Sequence, residues 1–120
     1  MANPFVHVEL YTDDVPNSKN FYTKLFDWKM EDLPLEGYTY TMIRVGDGTG
    51  GGLMQNPMPG SPSMWLAYVA VKNIQTATAK AKSLGANVIK DVTEIPNMGW
   101  LAIFVDPTGA MLGMWQPKIQ

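Results

Sequence analysis

The chain carries a single histidine, His7, and a carboxylate, Glu9, stands two residues after it. Residues two apart on an extended backbone project to the same side, so imidazole and carboxylate share a face. A carboxylate beside an imidazole favours the protonated ring and fixes its tautomer, the arrangement a general base needs. His7 and Glu9 are therefore the candidate catalytic pair. The structural alternative is a hydrogen-bonded polar pair at the rim of a sheet or at a subunit interface. No cysteine is present, which removes thiolate zinc sites, disulfides and cysteine nucleophiles together. Asp13-Asp14 directly precedes Pro16 and reads as a helix cap rather than a cation site. The glycine-rich Gly46-Asp47-Gly48-Thr49-Gly50-Gly51-Gly52 leads into a strand and is followed by no lysine, so it is not a phosphate loop.

The elements that must position this pair are legible in the patterning. Phe5 to Tyr11 alternates strictly, with Val6, Val8 and Leu10 on one face and Phe5, His7, Glu9 and Tyr11 on the other, the signature of a strand. A capped helix follows over about 15–26, with Phe21, Tyr22, Leu25 and Phe26 as its apolar stripe. Extended segments are expected at Trp28 to Leu33, Tyr38 to Val45 and Gly51 to Gln55, with turns at 34–37 and 46–48. The proline-rich Asn56 to Ser63 reads as a linker. The pattern then restarts. Trp65 to Val71 is a strand, Asn73 caps a helix with Ile74, Ala77, Ala81 and Leu84 on one face, and Gly85 provides a left-handed C-cap. Strands Asn87 to Val92, Trp100 to Val105 and Ala110 to Gln116 complete the second half, with a turn at Asp106-Pro107-Thr108-Gly109 before the last.

Composition bounds the partners. The 120 residues carry a net charge of −2, with 9 Lys+Arg against 11 Asp+Glu and no basic stripe, which argues against a nucleic-acid partner. No stretch approaches the ~20 apolar residues of a membrane span, and the N-terminus lacks a leader pattern, so a cytoplasmic protein without membrane association is expected. The 9 Met and 4 Trp accord with an apolar cavity and equally with core filling.

Both halves read strand, helix, strand, strand, strand. Sliding one onto the other by about 60 residues places Gly52 on Gly113, Met54 on Trp115, Gln55 on Gln116 and His7 near Leu66. Modules of this size cannot each cover a sheet face alone, so an α+β fold follows in which two tandem βαβββ modules form a curved mixed sheet with the helices on the convex side. The chain is then one domain over 1–120, with module 1 at about 1–56, a linker at about 57–63 and module 2 at about 64–117. Gly52 and Gly113, at equivalent strand positions, leave room for a ligand or allow the sheet to bend. Tyr11, Met54, Leu66, Tyr68, Met111 and Trp115 share their parity and would line the concave side as an apolar, aromatic ligand-binding wall.

The segments Val6-His7-Val8-Glu9-Leu10, Phe21-Tyr22-Thr23-Lys24-Leu25-Phe26-Asp27-Trp28 and Phe104-Val105-Asp106-Pro107-Thr108-Gly109, set in this tandem repeat, resemble the vicinal oxygen chelate superfamily of glyoxalases, bleomycin-resistance proteins and extradiol dioxygenases. The ending Leu112-Gly113-Met114-Trp115-Gln116-Pro117 is similar to its small glyoxalase-like, lactoylglutathione-lyase-related members. The resemblance implies a homodimer and a small-molecule ligand. Members with metal chemistry place four ligands at positions that match His7, Gly52, Leu66 and Gly113, and of these only His7 can ligate. The expected function is accordingly the binding of an apolar or aromatic small molecule in the concave site, with no cofactor and without the family's full metal set. If the chain is an enzyme, His7 or Glu9 moves the proton, with Tyr68 orienting the substrate. The alternatives are a divalent-metal-dependent lyase or dioxygenase with unconventional ligands, and a non-catalytic sequestration protein of the antibiotic-resistance type.

Overall fold

A computed structural model describes residues 2–35 and 37–118, so the Glu36 part of the expected 34–37 turn lies outside the described residues. The chain forms two units, an N-terminal one over His7–Leu66 and a C-terminal one built from residues 2–6 and 67–118. It passes between them inside its first and fifth strands. Each unit has the strand-helix-strand-strand-strand order read from the sequence, and the fold is α+β with two βαβββ modules.

The N-terminal module comprises β1 (Phe5–Thr12), α1 (Val15–Leu25), β2 (Lys29–Leu35), β3 (Tyr38–Arg44) and β4 (Gly51–Gln55). β2 pairs antiparallel with β3 and β3 antiparallel with β4, while β4 runs parallel to β1 with Glu9 beside Gly52 and Tyr11 beside Met54. Val8 and Leu10 belong to the helix side. Leu10, Ile43 and Leu53 form the core there, packed by Val15, Tyr22, Trp28, Met30 and Val45. Helix α1 starts where Asp14 accepts a hydrogen bond from the Asn17 N–H at 3.1 Å, with Pro16 in the first turn. Of its expected apolar stripe only Tyr22 packs on the core, and Phe21, Leu25 and Phe26 are exposed. The helix ends at Leu25 because Phe26 is extended. β2 continues through Pro34, two residues past the expected end. It lies at an edge of the sheet, where proline's missing N–H leaves no ladder partner unsatisfied.

The C-terminal module comprises β5 (Met64–Ala70), α2 (Ile74–Ser83), β6 (Asn87–Ile95), β7 (Gly99–Val105) and β8 (Met111–Pro117). β6 and β7 pair antiparallel, as do β7 and β8, and β8 runs parallel to β5 with Tyr68 beside Gly113 and Ala70 beside Trp115. The registers of the two units therefore match, so that Gly52 and Gly113 are equivalent, as are Met54 and Trp115. Ile74, Ala102 and Met114 form the core. Asn73 caps α2 by accepting from the Thr76 N–H, and Gln116 Oε1 on β8 accepts from the Ile74 N–H at 2.7 Å. Gly85 takes the left-handed conformation at φ 101°. Two expectations are corrected. Leu84 is exposed because it lies past the last turn as the C-cap, and Thr78 joins Ile74 as the buried side of α2 instead. Ala110 belongs to the preceding turn, where its N–H donates to Asp106 Oδ1 and its carbonyl accepts from the Asp106 N–H.

Candidate functional site

On the face of β1 opposite the helix-side core, the N-terminal unit gathers a chain of three polar side chains. Tyr40 Oη lies 2.7 Å from Glu9 Oε1 and 2.6 Å from His7 Nε2, and the imidazole and carboxylate themselves are 4.0 Å apart. The arrangement grows from alternation. His7 and Glu9 share one side of β1, and Tyr38, Tyr40 and Met42 share the same side of β3 two strands away. Between them runs β4, whose Gly52 pairs with Glu9 on one flank and Met42 on the other. A Cβ on Gly52 would stand 1.8 Å from Tyr40 Oη. The glycine is what lets the phenol cross the strand and reach the carboxylate, so the room expected over Gly52 is filled by Tyr40.

Burial grades the trio. The Glu9 side chain is 8% exposed and that of His7 26%, so the carboxylate is the deep end and the imidazole the more accessible one. Burial pushes the Tyr40 hydroxyl far above the ordinary tyrosine range, reinforced by the charge of Glu9 and its hydrogen bond, and the phenol stays protonated. Tyr38 is raised for the same first reason, burial, and then by Glu9. His7 is lowered from 6.5 because burial outweighs the attraction of Glu9, so the ring is neutral near pH 7. The sequence reading that Glu9 would raise His7 is corrected by this balance.

The other expected site residues divide between the units. Tyr11 and Met54 stand beside each other on the N-terminal unit's polar face, Tyr11 buried and Met54 half-buried, and Leu66 is buried at the end of that unit. Tyr68, Met111, Gly113 and Trp115 belong to the C-terminal unit. There a Cβ on Gly113 would stand 2.5 Å from the Tyr68 ring, and one on Gly99 would stand 2.7 Å from Trp115. Strand glycines crossed by an aromatic ring thus recur in both halves. Tyr40 is the residue that sequence reasoning missed. Its signal is the alternation Tyr38-Thr39-Tyr40-Thr41 next to a strand glycine.

The four positions at which the resemblance places metal ligands do not fit a divalent ion. His7 Nε2 is engaged by Tyr40, Gly52 and Gly113 lie under aromatic rings, and Leu66 is apolar and buried. Among the described residues no three His, Cys, Asp or Glu side chains converge as a metal-binding group.

Comparison with known proteins places this geometry in a family. Residues 5–114 match the model of the Glyoxalase/Bleomycin resistance protein/Dioxygenase superfamily, and the chain belongs to that superfamily. It is 34% identical over 113 residues to the protein named "Putative glyoxylase CFP32" of Mycobacterium tuberculosis, a match that covers 93% of this chain and 43% of that protein. It is 28% identical over 131 aligned positions to the anthracycline biosynthesis protein DnrV of Streptomyces peucetius, covering 92% of this chain and 46% of that one. The chain thus spans less than half the length of these relatives. Among solved structures, methylmalonyl-CoA epimerase from Mycobacterium tuberculosis superposes with a TM-score of 0.72 at 12% identity, over 96% of this chain and 88% of that one. The hypothetical protein BH1468 of Bacillus halodurans does so with 0.73 at 19%, over 100% and 98%. No helix of the described residues is long and apolar enough to cross a membrane.

Proposed function

We propose that the chain binds a flat, apolar or aromatic small molecule that carries oxygen, on the face of the N-terminal unit where His7, Tyr40 and Glu9 are linked, without a metal cofactor. The observation that carries this reading is the His7–Tyr40–Glu9 chain itself: a continuous polar track on a face otherwise made of Tyr11, Tyr38, Met42 and Met54. A few placed polar groups on an apolar wall is the makeup of a small-molecule site. The relative named for anthracycline biosynthesis supports an aromatic ligand, and the relative named as a glyoxylase supports an oxygen-bearing one. Met111 and Trp115, half-buried, offer an apolar surface of the same character on the C-terminal unit with Tyr68 and Gly113 buried beside them, and Leu66 joins the proposed ligand contacts.

Isothermal titration against a panel of hydroxylated and plain bicyclic aromatics tests the reading. Binding is expected, weakened about tenfold or more by His7→Ala and by Met54→Ala. An affinity unchanged in both variants, or no binding by any compound, overturns it. The proposed macromolecular partner is a second copy of the chain, in the cytoplasm. The exposed Phe21, Leu25 and Phe26 of α1 offer it apolar surface. Sedimentation equilibrium is expected to give twice the 13.3 kDa chain mass. A monomer at tens of micromolar would rule the pairing out.

A further inference from the structure

The helix side of the C-terminal unit is only partly covered. Helix α2 has 10 residues, which span about 15 Å, and of these only Ile74 and Thr78 are buried. Beside it, Val69 on β5, Val71 just beyond that strand, Phe104 on β7 and Leu112 on β8 stay half-buried and floor an open cavity of about 460 Å³. That is the size of a small-molecule site. Every residue lining it belongs to this unit. Val69 pairs with Met114, which packs under α2 with Ile74, so the floor lies on the helix side of the sheet. Tyr68, Met111 and Trp115 alternate with these residues and face the other way.

The rim of this cavity is cationic. Asn73, Ala77 and Lys80 recur at helical spacing along one flank of α2, and Lys72 stands just before the cap; all four line the cavity. Of the 9 Lys and Arg side chains, Lys19, Lys29, Arg44, Lys82 and Lys118 pair with carboxylates. Among the described residues no carboxylate stands within 4.0 Å of the other four, Lys24, Lys72, Lys80 and Lys90, and two of these four meet at this cavity. No Asp or Glu lines it. An ammonium group only donates, and Asn73, whose Oδ1 accepts from the Thr76 N–H, has amide N–H groups left to donate. Charge and hydrogen bonding therefore ask for the same head group, an anionic acceptor, above a floor that takes an apolar body. We infer that the cavity beside α2 binds an organic acid, with its carboxylate at Lys72 and Lys80 and its apolar body on Val69, Val71, Phe104 and Leu112. The site belongs to the unit that does not carry His7, Tyr40 and Glu9, and it requires nothing of them.

The probes are 2-naphthoate and 2-naphthamide, which share a ring system and differ in the charge of the head group. In calorimetric titrations at low salt the naphthoate is expected to bind about fivefold or more tightly, and about 0.5 M salt should shrink the preference below about twofold, because the rim charges are exposed to screening. The double variant Lys72→Gln, Lys80→Gln should lose the preference at low salt. Thr76→Trp, which fills the cavity from its exposed wall, should abolish binding of the naphthoate. In methyl NMR spectra the naphthoate should shift Val69, Val71 and Leu112. Equal affinities in the unmodified protein, a preference kept in the double variant, or shifts that miss these methyl groups overturn the proposal, as does binding of neither compound. A naphthoate affinity that falls as protein concentration rises would mean that a second copy of the chain covers this face, and that result overturns it too.

Discussion

Tyr40 bridges two groups that stand 4.0 Å apart and are differently solvated, and it does so only because its neighbour on β4 has no side chain. Gly52 is needed for space rather than for backbone freedom, since its φ lies outside the left-handed region that favours glycine. Gly52→Ala would place a methyl carbon on the phenol oxygen, and a Tyr40 ring held by two hydrogen bonds cannot move without breaking them. Overpacking of this kind costs about 1–3 kcal/mol, and the loss of hydrogen bonds to a buried charged group adds about 1–3 kcal/mol. Gly52→Ala should therefore lower the stability measured by urea unfolding by about 2 kcal/mol or more. Pairing it with Tyr40→Phe should recover little of that loss, because ring carbons Cζ and Cε2 would still stand 2.1 and 2.4 Å from the added methyl. A variant as stable as the parent would mean that the phenol does not occupy the space above the glycine.

At the scale of elements, the legible features were those decided within one segment. The alternation of Phe5 to Tyr11 placed His7 and Glu9 on one face, and the structure keeps Val8 and Leu10 on the other. Asp14, Asn73 and Gly85 act at the helix ends as their chemistry suggests. The repeat offset also held, because matching parallel pairs, Glu9 with Gly52 and Tyr68 with Gly113, set both registers. What could not be read were features decided by a neighbouring strand. Tyr40 lies on β3, and nothing within Tyr38 to Arg44 says that its ring crosses β4 to a carboxylate on β1. The same cause hid Tyr68 over Gly113, which sequence reading could describe only as room or curvature, and Trp115 over Gly99. The helix stripes were overestimated for a related reason. A short amphipathic helix shows which residues are apolar but not how much of that face the sheet covers, and α1 leaves Phe21, Leu25 and Phe26 exposed.

At the scale of the whole molecule, the shortage of histidine makes the acid response of the fold readable in two steps. Between the carboxylates and the α-amine, His7 is the side chain whose ordinary pKa falls in range, and burial holds it below 6.5 in the folded state. The unfolded chain therefore binds the proton first. Stability is complete above pH 6.5, declines as pH falls from there toward the folded value, and levels below it. Glu9, Tyr40 and Tyr38 are the titratable groups around it, and the two phenols are held protonated throughout this range. A second decline belongs to carboxylates held below their ordinary 3.8. Asp32 is lowered by its hydrogen bonds to Thr41 and Lys19, and Asp106 by those to Thr108 and the Ala110 N–H, so their contributions are present above pH 3.8 and are lost below it. Thermal unfolding followed from pH 8 to pH 3 should show both steps. In His7→Gln, which cannot titrate, the upper step should vanish while the lower one remains. Persistence of the upper step in that variant would mean that another group controls the fold near neutrality.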